Sequence, residues 1–548
     1  MTDFIDNLTT TENGAIAYST TNSKGFDLFT KLIRGASYEK ITELFYDSWL
    51  ENPIQTLQIL LNCRDCRSGK GERQIVLHCL SWLRKHKPKT YVKNLPLFLK
   101  VGYYQDLLNL AIEAEKQQQP LLGNNDLIEL EMFAEQLKND HSSFVLKEPI
   151  TLAAKWAPTE DHADDREYEF ASRIAKILFP NEKHSYTMKA YRNHLTDLRA
   201  YLKIVESQMA HDEWSLIEYG KVPAKSHRLH TSAFKKHDLD RYNLYLENIK
   251  NNKESIKSTG TQPHEITRPF MHAGHSENEE TLQAQWNDMI MNLRKNGKLN
   301  SVLPLCDVSS SMNGEPMEVC IALGLMVSEL VEGPFKNRIL TFESNPKLIH
   351  IKSLKLSDRV RELKRAPWGG STNLMAAFEQ ILNFALMMKC SQDQLPKVLL
   401  IFSDMQFDSA VDDSKQATIF QLAKDKFESE GYQLPNVVFW NLSDTHKSFP
   451  ITIDERGVAM LSGYSAQLLK VIMNDPENIS PLSLMKLITD KYEGIVIDEG
   501  EIGVISDAVI PPVIYNHPDK HRRRKQRGKG PGSIRRKKDI KELDDNYV

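Results

Sequence analysis

The sequence predicts a multi-domain chain, with an all-α helical-repeat module in the N-terminal half and an α/β module with a doubly wound, mostly parallel sheet in the C-terminal half. Three observations carry that expectation. The chain has 548 residues, more than one hydrophobic core serves. Apolar residues recur at spacings of three and four from Phe26 to Leu293, the period of a helix with one buried face. From Leu299 onward, short apolar runs without polar alternation take turns with helical segments, as in strands covered on both faces.

Residues 1–25 read as a polar N-terminal extension. The helical module, 26–293, opens with Ile41, Leu44, Phe45, Trp49 and Leu50 on one face. Segments 53–61, 74–83, 97–102, 106–115 and 127–137 repeat that theme, and 163–209 continues it with a break at Pro180. Helices joined by short polar breaks suggest a HEAT-like solenoid, although no fixed-period repeat is present. Residues 251–280, rich in Asn, Ser, Thr, His and Gly, read as a flexible segment between the halves.

In the second module, 299–499, the strands expected are 301–306, 338–342, 347–351, 398–402, 436–440 and 457–461. Helices are expected at 315–330, 356–366, 374–388 and 417–429, then from Gln467 and from Leu482. The short link between the second and third strands suggests a hairpin.

Composition narrows the function classes. With 41% hydrophobic and 26% charged residues the chain is neither collagen-like, mucin-like nor wholly disordered. No run of 18 apolar residues occurs and the start is polar, so neither a membrane span nor a signal peptide is expected, and an intracellular, cytoplasmic placement follows. Six cysteines do not make a disulfide framework. Cys63 and Cys66 form an isolated C-x-x-C without a second ligand pair, which points to reduced, structural thiols. The net charge of −3 hides eleven Lys/Arg and no acid between Lys520 and Lys538, so a basic tail (515–548) hangs from an acidic body.

Ligands of open α/β sheets sit beyond the carboxyl ends of the strands. Two strands here end in Asp. One gives Asp307-Val308-Ser309-Ser310-Ser311, the other Ser403-Asp404, and between them a Gly369-Gly370-Ser371-Thr372 turn leads into a helix. Carboxylates and hydroxyls from three loops make a hard, all-oxygen environment suited to Mg²⁺, with Mn²⁺ or Ca²⁺ as alternatives. This D-x-S-x-S, distal Thr, distal Asp pattern resembles the metal-ion-dependent adhesion site (MIDAS) of von Willebrand factor A and integrin I domains. The resemblance implies that Ser309, Ser311 and Thr372 ligate the ion directly, while Asp307 and Asp404 act largely through water. Ser371 stands ready to replace Thr372 if the turn differs by one residue. An open coordination position would accept an acidic group from a protein partner.

Further resemblance lies in Arg64-Asp-Cys-Arg67-Ser-Gly69-Lys70-Gly71-Glu72-Arg73, in Val101-Gly102-Tyr-Tyr-Gln-Asp106, and in Ala153-Ala154-Lys155-Trp156. These resemble the domain-of-unknown-function 2828 (DUF2828) family, in which a helical region precedes a von Willebrand A domain. The first stretch is also similar to one in TROVE domains, the helical-repeat rings of Ro autoantigen proteins, which bind small structured RNAs. That likeness implies an RNA-binding or ribonucleoprotein component.

On residue chemistry alone, Arg64, Arg67, Lys70 and Arg73 either contact phosphate or pair with nearby acids. Trp156 beside Lys155 is either a stacking platform or a core residue. The tail cations Arg522, Arg523, Arg524, Lys525, Arg527, Arg535 and Arg536 suit a phosphate backbone, a nuclear-targeting signal or plain solvation. Two functions stay open: RNA binding, and a protein-interaction scaffold whose metal captures an acidic partner residue. Enzymatic turnover is not expected, because no His, Lys or second-metal cluster accompanies the hydroxyls as a base.

Overall fold

Caps and apolar stripes divide the N-terminal half into helices. A computed structural model describes residues 7–117, 127–180, 183–272, 278–295, 297, 299–342, 346–365, 373–408, 417–444, 448–474 and 479–502. Ser23 caps α1 (Lys24–Lys31), Ser37 caps α2 (Tyr38–Glu51), and Asn52 with Pro53 starts α3 (Pro53–Arg64). There follow α4 (Gln74–His86), α5 (Pro88–Val101), α6 (Gln105–Lys116) and α7 (Ile128–Val145). Sequential packing of α2 on α3 and α4, and of α6 on α4 and α7, buries Phe45, Trp49 and Trp82. Among the described residues, 163–210 hold four helices, Ala163–Tyr168, Phe170–Leu178, His184–Leu202 and Val205–Ala210, and the expected break at Pro180 falls between the second and the third.

The segment 251–280 departs from expectation. It contains a helix, Pro263–His272, whose Ile266, Phe270 and Met271 are buried against the helices Glu315–Leu330 and Leu356–Lys364. Two prolines and a polar composition hid three apolar side chains on one face. A proline at the first turn costs a helix nothing, because its missing N–H would have had no partner there. Residues 273–277 lie outside the described residues.

Residues 7–23, before α1, are part of the fold as well. Strands β1 (Leu8–Thr10) and β2 (Ile16–Tyr18) pair antiparallel, and Tyr18 exchanges backbone hydrogen bonds with Phe449.

The C-terminal half is a mixed, mainly parallel six-stranded sheet. Its strands are β3 (Val302–Asp307), β4 (Arg338–Phe342), β5 (Lys347–His350), β6 (Val398–Ser403), β7 (Asn436–Asn441) and β8 (Val458–Ser462), in the order β8-β7-β6-β3-β4-β5. Only β5, at one edge, runs antiparallel to its neighbour. Pro304 stands in a central strand without breaking it, because the pairing with β4 begins one residue later at Leu305. The strand order reverses at β3, so the carboxyl ends of β3 and β6 lie side by side, with Cys306 opposite Phe402.

The described residues, 7–502, belong to one compact unit. Lys70 is one of its joints. Its amine donates to the carbonyls of Phe29 and Leu32, the latter at 3.0 Å, and to Ser462 Oγ at 2.6 Å. Those carbonyls belong to the end of α1, where the helix has no internal donor left and favours a cation. Asn441 Nδ2 adds a bond to the Thr30 carbonyl at 3.3 Å. The chain's later residues strap back: Glu501 accepts from Lys89 N and Thr90 N in the first turn of α5, at 2.9 and 2.8 Å. Among the described residues no helix is long and apolar enough to cross a membrane.

Candidate functional site

Four of the five residues expected to hold a metal meet at the point where the strand order reverses. Asp307 ends β3 and is fully buried; Asp404 follows β6 and is equally buried. Ser309 N donates to Asp307 Oδ1 at 2.9 Å, and Ser403 Oγ donates to Asp307 Oδ2 at 2.6 Å. Ser309 Oγ and Ser311 Oγ share a hydrogen bond of 2.9 Å. Asp404 Oδ1 accepts from Gln406 N at 3.2 Å, whereas Asp404 Oδ2 is buried with no hydrogen-bond partner. Thr372, with Gly369 to Ser371, lies outside the described residues. Asn373 next to it caps the following helix, Leu374–Met388, by accepting from Ala376 N at 2.9 Å.

The backbone after Asp404 is shaped for position rather than comfort. Met405 adopts φ 66°, a left-handed conformation costing a side-chain-bearing residue about 1 kcal/mol or more. Such strain persists only where surrounding bonds hold it; here Ser403 Oγ accepts from Met405 N at 3.0 Å. Electrostatics in the site are equally costly. Burial, then the charge of Asp404, pushes the Asp307 carboxyl up to about 7, against the pull of Ser403 and Ser309. Burial also raises Asp404, with Ser311 and the Gln406 N–H drawing it down.

Two like charges in a dry site with an orphaned oxygen are a poor arrangement by themselves. Together with two hydroxyls they form the oxygen-only donor set that a hard divalent cation takes. Among the described residues no group of three or more His, Cys, Asp and Glu gathers to hold a metal, and a cation here would need the hydroxyls as ligands too.

Of the two courses open to the basic stretch, phosphate contact or internal pairing, Arg64, Lys70 and Arg73 have internal partners. Arg64 is 1% exposed; its Nε donates to Asp106 Oδ2 at 2.8 Å. Arg73 Nε donates to Asp106 Oδ1 at 2.8 Å. Lys70 is 1% exposed and its amine is taken up by the three acceptors of the α1 joint. Burial lowers its pKa to about 8. Charges this deep are reserved for internal partners. Arg67 alone of the four is exposed, and it donates to the Lys100 carbonyl at 2.9 Å. The glycines serve the same joint. A Cβ on Gly69 would stand 2.1 Å from the Asn62 carbonyl, and one on Gly102 would stand 2.6 Å from Asp106 Oδ2.

Trp156 is half-buried, with the Lys155 amine 5.7 Å from its ring centre and 3.7 Å from Glu206. All six cysteines are free thiols. The tail residues Arg522, Arg523, Arg524, Lys525, Arg527, Arg535 and Arg536 lie outside the described residues.

Other contributors escaped the sequence reading. Gln406 ties the site to the N-terminal hairpin, accepting from Glu12 N through Oε1 at 3.0 Å and from Asn13 Nδ2 through its carbonyl at 2.9 Å. No local pattern announces a contact between residues almost four hundred positions apart.

Comparison with known proteins agrees with this two-part layout. A family model described as Domain of unknown function (DUF7788) matches residues 301–491, the span of the sheet. A protein of Acanthamoeba polyphaga mimivirus, described as Uncharacterized protein L728, is 32% identical over 513 residues, covering 89% of this chain and 88% of that protein. The model described as Domain of unknown function (DUF2828) matches residues 11–131 and 127–299, and the chain belongs to that family.

Proposed function

We propose that this protein is a non-enzymatic, metal-dependent binding protein whose C-terminal half is a von Willebrand factor A-type domain. In this reading Asp307, Ser309, Ser311, Thr372 and Asp404 hold one Mg²⁺, and the ion's open position takes an acidic residue of a protein partner. The observation that carries it is the buried, unpartnered Asp404 Oδ2 beside Asp307 and two hydroxyls, at the reversal of the strand order. The antiparallel edge strand and the strand order support the same fold. When bound, the ion supplies a Lewis-acidic contact for an outside oxygen; the protein's residues orient it and exclude water from its inner side.

Calorimetric titration of the full chain with Mg²⁺ is expected to saturate at about one equivalent, as a single six-coordinate site requires. Asp307→Ala is expected to abolish the heat. Binding that survives the substitution would remove the assignment.

RNA binding through a TROVE-like helical module is the second reading, favoured by the basic tail. With Arg64, Lys70 and Arg73 committed internally, the scaffold reading takes precedence. If the tail does bind RNA, removing residues 515–548 lowers the salt dependence of that affinity, since fewer counterions are released. An unaltered salt slope would exonerate the tail, and the absence of crosslinked RNA on folded full-length protein would end this reading.

A further inference from the structure

A groove of about 640 Å³ follows one face of the helix Glu279–Arg294. The end of the helix Leu239–Lys250 and the loop to Ile256 line it too, as do Glu329 and Lys355. Glu280, Gln283, Asn287, Met291 and Arg294 succeed one another in steps of three and four, so one stripe borders the groove over about four turns, roughly 21 Å. The other side of the same helix faces the core, where Leu282, Trp286, Met289 and Leu293 are buried. Leu246, Ile256 and Ile290, each 3% exposed, give the groove an apolar lining, and Met291 is 50% exposed.

The walls are fixed by their own hydrogen bonds. Gln283 Oε1 accepts from Leu356 N at 2.7 Å, and Arg294 Nη2 donates to the Glu329 carbonyl at 3.0 Å. Asp288 Oδ2 ties down the loop, accepting from Ser258 N at 3.0 Å and from Ser258 Oγ at 2.6 Å. A groove already held in shape loses little entropy when it is filled.

Charge marks the kind of occupant. Five lining residues are acidic and three, Lys250, Arg294 and Lys355, are basic. Lys250 pairs with Glu280 at 2.7 Å, and Glu329 is met by Arg359 at 3.5 Å. The other three acids have only uncharged donors among the described residues. Glu254 accepts from Asn248 Nδ2 at 3.0 Å, Glu279 from Ser357 Oγ at 2.6 Å, and Asp288 from Ser258 and Asn292. Carboxylates beside an apolar furrow, without cations of their own, are complementary to a ligand that brings both apolar and basic side chains.

We propose that this groove docks an amphipathic helix of a protein partner, with its apolar stripe on Ile256, Ile290 and Met291 and its Lys or Arg side chains at Glu254, Glu279 and Asp288. No strand lines the groove among the described residues, so an extended peptide meets no row of backbone donors and acceptors there. A helix needs none, since its own backbone is satisfied and its side chains repeat with the same period as the wall. None of the lining residues belongs to the metal site, so the two surfaces can be tested apart.

The probe is a fluorescently labelled peptide of about 16 residues, enough for four turns, with Leu at steps of three and four and Lys elsewhere. Titrated with the full chain and read by anisotropy, it is expected to saturate at one peptide per chain. Met291→Lys, at a half-exposed position, removes an apolar contact and adds a repelling charge; a loss of roughly tenfold or more is expected. Glu254→Gln/Glu279→Gln keeps both acceptors and is expected to cost roughly three- to tenfold, with a weaker salt dependence. Glu43→Gln/Glu135→Gln, at exposed positions of α2 and α7, matches that charge change and is expected to leave binding as it was. The same peptide with Glu in place of Lys is expected to bind at least about tenfold more weakly. The proposal is overturned if the Lys peptide does not bind, if the Glu peptide binds equally well, if either groove variant binds like wild type, or if the control pair loses as much. Sedimentation adds one more arm: a dimer that Met291→Lys splits would give the groove to a second copy of the chain and overturn the proposal as well.

Discussion

Asp307→Asn is expected to stabilise the metal-free protein while weakening its response to Mg²⁺. In the fold, burial and the neighbouring Asp404 push the Asp307 carboxyl up to about 7, from 3.8 in the unfolded chain. The native state therefore holds more protons than the unfolded state across that window, and stability falls as pH rises through it. Above it the ionised group costs on the order of 4 kcal/mol, taken as an upper bound. The amide carries no charge, so at about pH 8 the metal-free variant is expected to gain roughly 2–4 kcal/mol over wild type. At about pH 4 the two converge, because both then carry a neutral side chain.

Saturating Mg²⁺ narrows the gap. At a hundred times its Kd it would stabilise wild type by about 2.7 kcal/mol, while losing the carboxylate lowers the variant's affinity by roughly 10- to 100-fold. Parallel urea or thermal denaturation at two pH values, with and without Mg²⁺, measures all four terms. A metal-free variant less stable than wild type at about pH 8 would show that the carboxylate is a structural hydrogen-bond acceptor rather than a charge awaiting a cation.

How legible each feature was depended on how local its cause is. The strands of the sheet were readable from unbroken apolar runs, since burial on both faces writes itself into consecutive residues: Val398–Ser403 and Val458–Ser462 are buried throughout. Asp307 and Asp404 were readable because each closes such a run. The helix Pro263–His272 was not, because prolines and histidines dominate its composition and only the assembled fold supplies the wall its apolar face needs. The hairpin at Leu8–Tyr18 was opaque for the same reason, being three residues a strand and completed by Phe449. Charge misled where depth was unknown. Four cations in ten residues look alike whether they face solvent or one buried aspartate, and Asp106 lies beyond the reach of any local pattern.

That buried aspartate carries the largest structural prediction. Asp106 is 6% exposed and takes Arg64 Nε on one oxygen and Arg73 Nε on the other, each at 2.8 Å, with Tyr103 N on the first at 3.2 Å. Asp106→Ala strands two guanidiniums, of which Arg64 has no route to water, and breaking a buried pair from one side costs ~3–5 kcal/mol. Asp106→Asn keeps an acceptor and is expected to recover part of that loss. Because the pair is screened by protein rather than by salt, the cost is expected to persist at high ionic strength. Urea denaturation with and without about 0.5 M NaCl checks both statements. The same variant separates the two roles open to this basic stretch. If its cations hold the helices together, Asp106→Ala destabilises the fold and any RNA affinity falls with it. If instead they met phosphate, freeing them from Asp106 would raise RNA affinity at little cost in stability. The depth of Arg64 and Lys70 makes the first outcome the expected one: a cation 1% exposed has no face left to offer a ligand that arrives from solvent.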